Sequence, residues 1–96
     1  MPPKLDIARD EDGSRGQYST IVDGVKAVLD FRVSDTNTRI AAHVGVPSEI
    51  GGRGVGKALV TRMVADARAE GFRIVPQCPF VDAHRRRNKD WSDAFV

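Results

Sequence analysis

Hydrophobic and polar positions alternate most cleanly in the middle of the first half of the chain. Val25, Ala27, Leu29, Phe31 and Val33 fall on one face of an extended segment. Lys26, Asp30 and Arg32 fall on the other, and only Val28 interrupts them. Period two of this kind marks a half-buried antiparallel strand. Just before it, QYSTIV (17–22) predicts a partner strand. Asp23-Gly24 between them supplies the positive-φ pair that a two-residue hairpin prefers. Residues 4–9 (KLDIAR) also alternate and predict a first strand ahead of the turn cluster EDGSRG. SDTNT turns the chain after the third strand. A fourth strand runs over 39–46, with Ile40, Ala42, Val44 and Val46 on one face and His43 on the other. Pro47 ends it, because proline cannot donate to a ladder.

The period then changes. Val55, Leu59, Met63 and Ala67 stand four apart, with Val60 and Val64 beside them, which predicts a helix over 55–70. Gly71 suits the position that stops it. FRIVPQC (72–78) predicts a fifth strand, and Pro79 can open a last short helix at its first position. That helix is expected to carry Phe80, Val81 and His84 towards the core. Trp91 and Phe95 should pin the tail WSDAFV by burial. The order β-β-β-β-α-β-α is an α+β fold on a mixed sheet. Strands four and five flank one helix, so they should be parallel and joined by a right-handed crossover. Ligands of such sheets bind outside the carboxyl ends of the strands. The stretch GGRGVGK, from Gly51 to Lys57, lies there.

Composition narrows the class. At 96 residues the chain is expected to be one domain, 1–96. A 41% hydrophobic and 29% charged composition fits an ordinary soluble globule. No apolar run approaches the ~18 residues of a membrane span. MPPKLDIARD lacks the apolar block of a secretory signal. A single cysteine rules out an internal disulfide framework. Together these predict the cytoplasm, with the chain a monomer or a weak homodimer. A net charge of +2 makes a weak field for nucleic acid.

The glycine stretch carries the chemistry. Gly51 and Gly56-Lys57 sit at the spacing of G-x-x-x-x-G-K, the phosphate loop of nucleotide hydrolases. Ala58 stands where that motif needs a hydroxyl for Mg²⁺. The physical capacity does not depend on the hydroxyl. Glycines at 51, 52, 54 and 56 let a ligand approach the backbone closely. The first N–H groups of the helix have no internal partner, and with the helix dipole they make an anion site. Successive amides can form a concave nest for phosphate oxygens. Arg53 and Lys57 add positive charge at the rim. The plain alternative is a loop that only turns the chain.

VPSEIGGRGVGKALV resembles the coenzyme A loop of the GNAT superfamily of N-acetyltransferases, whose motif is Q/R-x-x-G-x-G/A. Gly54 and Gly56 match its glycines. The likeness extends to a subgroup of very short members, through AAHVGVP (41–47), VPQCPF (75–80) and RRRNKDW (85–91). The resemblance implies a minimal GNAT-like fold with strands four and five splayed. It also implies acetyl-CoA as cofactor and transfer of its acetyl group to an unidentified amine. Cofactor contacts would come from Val44 and Val46 on strand four, and from Gly51, Gly52, Arg53, Gly54, Val55, Gly56 and Lys57. Two positions depart from the pattern. Gly51 stands where the motif has Gln or Arg, and Gly45 where the subgroup usually carries Glu.

Two side chains are candidates for chemistry. Cys78 ends strand five and precedes the Pro79 helix, and a helix N-terminus favours a thiolate. It could accept the acetyl group or protonate the departing thiolate; the alternative is a small buried apolar residue. His43 is a candidate general base; the alternative is an imidazole that packs on the sheet. His84 is expected to pack on its helix or to touch the adenine end of the cofactor. Neither histidine has metal spacing with Cys78, and no metal is expected. Arg85, Arg86, Arg87 and Lys89 would clamp the cofactor's 3′-phosphate, contact nucleic acid, or form a solvated face. Tyr18, Phe31, Phe72 and Trp91 are too scattered to make a stacking platform for single strands. Two rivals to the enzyme remain: a non-catalytic coenzyme A sensor, suggested by Gly45 and Gly51, and a small basic nucleic-acid-binding domain.

Overall fold

The hairpin foretold by the alternation forms the centre of the sheet. In the computed structural model, which describes residues 5–96, β2 (Arg15–Val22) pairs with β3 (Val25–Asp35) from Arg15↔Arg32 to Val22↔Val25. Asp23 and Gly24 turn between them with φ of 49° and 76°. β1 (Ala8–Glu11) adds to the outer edge of β2, and β4 (Thr38–Gly45) adds to β3, both antiparallel. α1 (Val55–Glu70) then crosses to β5 (Arg73–Val75), which lies parallel to β4. The sheet order is β1-β2-β3-β4-β5. α2 (Pro79–Arg87) follows, with Pro79 in its first turn as expected. The mixed sheet and element order match the α+β expectation, with 3-10 turns added at Ser48–Ile50 and Lys89–Ala94. No helix among the described residues is long and apolar enough to cross a membrane.

Packing explains where boundaries moved. The expected first strand over 4–9 is placed later, at Ala8–Glu11. Its residue 4 lies outside the described residues. Ahead of β1, side chains rather than a ladder hold the backbone. Thr20 Oγ1 donates to the Asp6 carbonyl at 2.8 Å, and Arg62 Nη1 donates to the Ile7 carbonyl at 3.1 Å. The fifth strand is three residues long rather than spanning 72–78. Pro76 has no N–H to extend the pairing. The chain then turns tightly, with the Gln77 amide donating to the Val75 carbonyl at 2.9 Å.

One core joins the sheet to α1. Leu29, Phe31, Tyr18 and Ile74 meet Leu59, Val60, Met63 and Val64 there. Phe31 lies over Gly16, whose missing side chain makes the room: a Cβ there would collide with the Phe31 ring. Val81 joins this core as expected, but Phe80 does not and stays 38% exposed. Trp91 and Phe95 are buried at the tail, and Phe95 bridges Ile74 alongside β5. Gly71, at φ 82°, stops α1 with its amide bonded to the Ala67 carbonyl. A polar cluster ties β1 and β2 to the far end of α1. Tyr18 donates to Asp66 Oδ2 at 2.8 Å, and Arg9 pairs with Asp66 and Glu70.

β4 carries a bulge that the alternation does not reveal. Phe31 pairs with Ala41 and Asp30 with His43, so Ala42 is an extra residue. The expected single face of Ile40, Ala42, Val44 and Val46 is therefore broken. Ala41 is the buried residue beside Phe31, and Val44 returns to the core side opposite Leu29. His43 faces the other way, as expected, and is exposed.

Candidate functional site

The site begins where β4 and β5 part. Their last parallel pair is Ile40↔Val75. One more bond follows, from the Cys78 amide to the Ala41 carbonyl at 2.9 Å. β4 runs on to Gly45, and among the described residues nothing pairs with this stretch on the β5 side. A one-sided strand edge with unused N–H and C=O groups is left at the carboxyl end of β4. Val44 and Val46 there are half-buried against the core.

The glycine loop closes the upper end of this gap. Pro47 leads into the short 3-10 turn, whose last bond runs from the Gly51 amide to the Ser48 carbonyl at 3.1 Å. That bond removes Gly51 from the set of free donors. From Gly52 to Lys57 the amides meet no backbone acceptor among the described residues, and the first bond closing α1 runs from Ala58 to the Gly54 carbonyl. Gly52 and Gly54 have φ of 74° and 77° with open space where a Cβ would point. Six amides at a helix N-terminus, with no side chain shielding them at the two glycines, suit a pyrophosphate in charge and in hydrogen-bond sense. The residues present therefore fit the phosphate end of coenzyme A.

The two rim cations differ. Arg53 is tied across to the hairpin turn by an ion pair with Asp23. Lys57 is exposed and has no ion pair among the described residues. Beyond the loop, an apolar groove of about 290 Å³ runs between the hairpin tip and α1, lined by Ile21, Val22, Val55 and Ala58.

α2 forms the opposite wall. The Phe80 ring rests on Gly56 so closely that a Cβ there would lie 2.5 Å from it. His84 stacks beside Phe80 with ring centroids 4.6 Å apart. Phe80 thus belongs to the mouth of the site rather than to the core, a role that its apolar character concealed. Burial, then the charges of Arg87 and Lys57, push the His84 imidazole below its ordinary value. The unfolded chain therefore binds this proton more readily than the folded one, so stability rises with pH through the window. We expect a loss of stability as pH falls from about 6.5 through the lower folded value. His84→Phe should remove that slope, as read from urea midpoints between about pH 5 and 8.

Cys78 caps α2 and is 7% exposed, its side chain within the core cluster at the point where the strands separate. His43 sits on the far face of the sheet from α1, so the fold does not bring it into one cluster with Cys78. No side chain among the described residues hydrogen-bonds the His43 ring. Arg85 and Arg86 are both paired with Asp82 and open, with Lys89, onto a concavity of about 380 Å³ beside Phe95. Among the described residues no three His, Cys, Asp or Glu side chains converge on a metal position.

A glycine loop feeding a helix between two diverging parallel strands is the arrangement expected of a GNAT-like fold. Residues 17–94 match the family of GCN5-related N-acetyl-transferases, and the chain belongs to that family. It is also similar to the NMR solution structure of a GCN5-like candidate N-acetyltransferase from Staphylococcus aureus. The two share 28% identity and a TM-score of 0.76, over 96% of this chain and 88% of that one. Among curated proteins none matches it.

Proposed function

We propose that the protein binds acetyl-CoA and transfers its acetyl group to an amine. The carrying observation is the row of acceptor-free amides from Gly52 to Lys57 beside the unpaired edge of β4. When bound, acetyl-CoA supplies the acetyl group as a thioester. The loop amides and Lys57 hold its phosphates, and the amides of β4 near Val44 and Val46 hold the pantetheine arm and draw electron density from the carbonyl. Phe80 shields the mouth from water. His43, on the open face, takes the proton of the acceptor amine as that nitrogen bonds to the acetyl carbon and the bond from that carbon to sulfur breaks, releasing coenzyme A as a thiolate.

Burial of Cys78 favours direct attack by the amine over an acetylated cysteine. Cys78 then packs the fork between the strands and lies within reach of the departing thiolate. His43→Gln should lower kcat by about a hundredfold with the KM for acetyl-CoA unchanged. Cys78→Ala should cost less than about tenfold, and intact-mass spectra should show no acetyl adduct on Cys78. A transient adduct at Cys78 during turnover would replace direct attack with a covalent route.

An amide-shift titration with acetyl-CoA tests the cofactor site. Shifts concentrated on Gly52–Lys57 and Val44 are expected. Silence at those amides would remove the proposal. Binding without turnover of any amine would favour a sensor. Salt-steep binding of RNA or DNA with no response to acetyl-CoA would favour a nucleic-acid domain.

A further inference from the structure

The open face of the sheet, away from α1, carries a hollow of its own. β2 and β3 set Arg15 directly opposite Arg32 there. Like charges so placed destabilise a sheet unless something answers them. Both side chains belong to exposed residues, and neither has a carboxylate within ion-pair distance among the described residues. Arg32 reaches past β4 instead, and its Nη2 donates to Gln77 Oε1 at 3.0 Å. Gln77 lies in the turn after β5, next to Cys78. This neutral partner orients the guanidinium without neutralising it.

A hollow of about 370 Å³ is lined by Arg15, Gly16, Asp30, Phe31, Arg32 and Ala42. Ala42 is the residue that the β4 bulge adds, and His43 follows it in the chain. The hollow therefore opens beside the proposed base and close to the fork where β4 and β5 part. Its charges are of both signs. Gln17 Nε2 donates to Asp30 Oδ1 at 2.7 Å, which holds one carboxylate in the lining. Asp30 and Arg32 stand two residues apart on one face of β3, about 6.5 Å at the rise of a strand. Towards β1 the surface turns acidic, with Asp10, Glu11 and Asp12 lining an adjoining concavity of about 460 Å³. An anion is repelled from that end and drawn to Arg15 and Arg32. A guanidinium donates in pairs to a carboxylate or a phosphate, so either oxyanion suits the two arginines.

We propose that this hollow receives the acceptor, and that the acceptor is a small zwitterion: an amine that also carries an oxyanion, carboxylate or phosphate. Arg15 and Arg32 hold the oxyanion, and Asp30 draws the ammonium end. The fate of the amine rests on the acetyl-transfer reading above; binding in the hollow does not.

Amide-shift titrations of the protein without acetyl-CoA test the binding. The probes are 4-aminobutyrate (amine and carboxylate), phosphoethanolamine (amine and phosphate) and butylamine (amine alone). At least one zwitterion should shift Arg15, Gly16, Arg32 and Ala42. It should bind at least about tenfold more tightly than butylamine, the factor expected of a hydrogen bond to a charged group. The tighter of the two identifies the oxyanion. Arg32→Gln and, separately, Arg15→Gln should each remove most of that preference. The shifts that acetyl-CoA causes at Gly52–Lys57 should persist in both variants and report that the fold is intact. In turnover the same preference should appear in kcat/KM and vanish in Arg32→Gln. Equal affinity for all three amines, or a preference that survives both variants, overturns the hollow as a zwitterion site. Acetylation of butylamine as efficient as that of either zwitterion keeps the transferase and overturns this choice of acceptor. Arginine-dependent binding with no acetylation of either zwitterion supports the site and overturns its part in acetyl transfer.

Discussion

A chain carrying Gly54→Val is expected to bind acetyl-CoA at least about a hundredfold more weakly than the wild type, as measured by calorimetry. Gly54 is the residue before α1 and holds φ at 77°. A β-branched residue is a genuine outlier there, at a cost of roughly 1–2 kcal/mol. The loop relieves that strain by rotating the peptides on either side, and those peptides carry donors of the phosphate cradle. A hydrogen bond to a charged group contributes about 1.5–3 kcal/mol, so losing two of them accounts for the expected factor. Gly13→Val separates binding from strain. Gly13 is also left-handed, at φ 95°, with open space around it, and lies in the β1–β2 turn away from the cradle. It should lose comparable stability and keep its affinity. Binding within about threefold of wild type in Gly54→Val would mean that the loop amides do not hold the phosphates.

Phe31→Ala should destabilise the fold by about 3–5 kcal/mol, read from urea unfolding. The ring is 2% exposed, lies 5.4 Å from Tyr18 between centroids, and fills the place that Gly16 leaves empty. Gly16, opposite Phe31 on β2, has no side chain to turn into the gap. A domain of this size has total stability on the order of 5–15 kcal/mol, so much of it is at stake. The loss should also reach the site. Phe31 pairs with Ala41 at the bulge, and hydrogen exchange at Ala42 and His43 should quicken more than at the hairpin turn. A loss under about 1 kcal/mol would mean that the core repacks around the deletion, contrary to its close packing.

The free amides of the glycine loop were legible because they follow from local backbone chemistry. Four glycines before a helix and two cations announce free amides whatever the neighbours are. The helix and hairpin were legible for a similar reason: periods of 3.6 and 2, a positive-φ turn pair and a stop glycine are local properties. The parts that were not legible depend on partners far along the chain. Phe80 reads as a core residue from its apolarity, yet it covers Gly56 at the start of α1 and stays exposed. Arg53 reads as a free cation, yet Asp23 on the hairpin turn holds it. Gly51 reads as a donor, yet the 3-10 turn before it takes its amide.

By itself, then, the amino-acid order determined the elements, their succession and the free amides ahead of α1, because turn dihedrals, helix ends and hydrophobic periods act over a few residues. Tertiary structure alone decided the bulge at Ala42 and the placing of Asp30 opposite His43 across it. Each of these follows from strand register, which is chosen by how whole faces pack and not by any one segment.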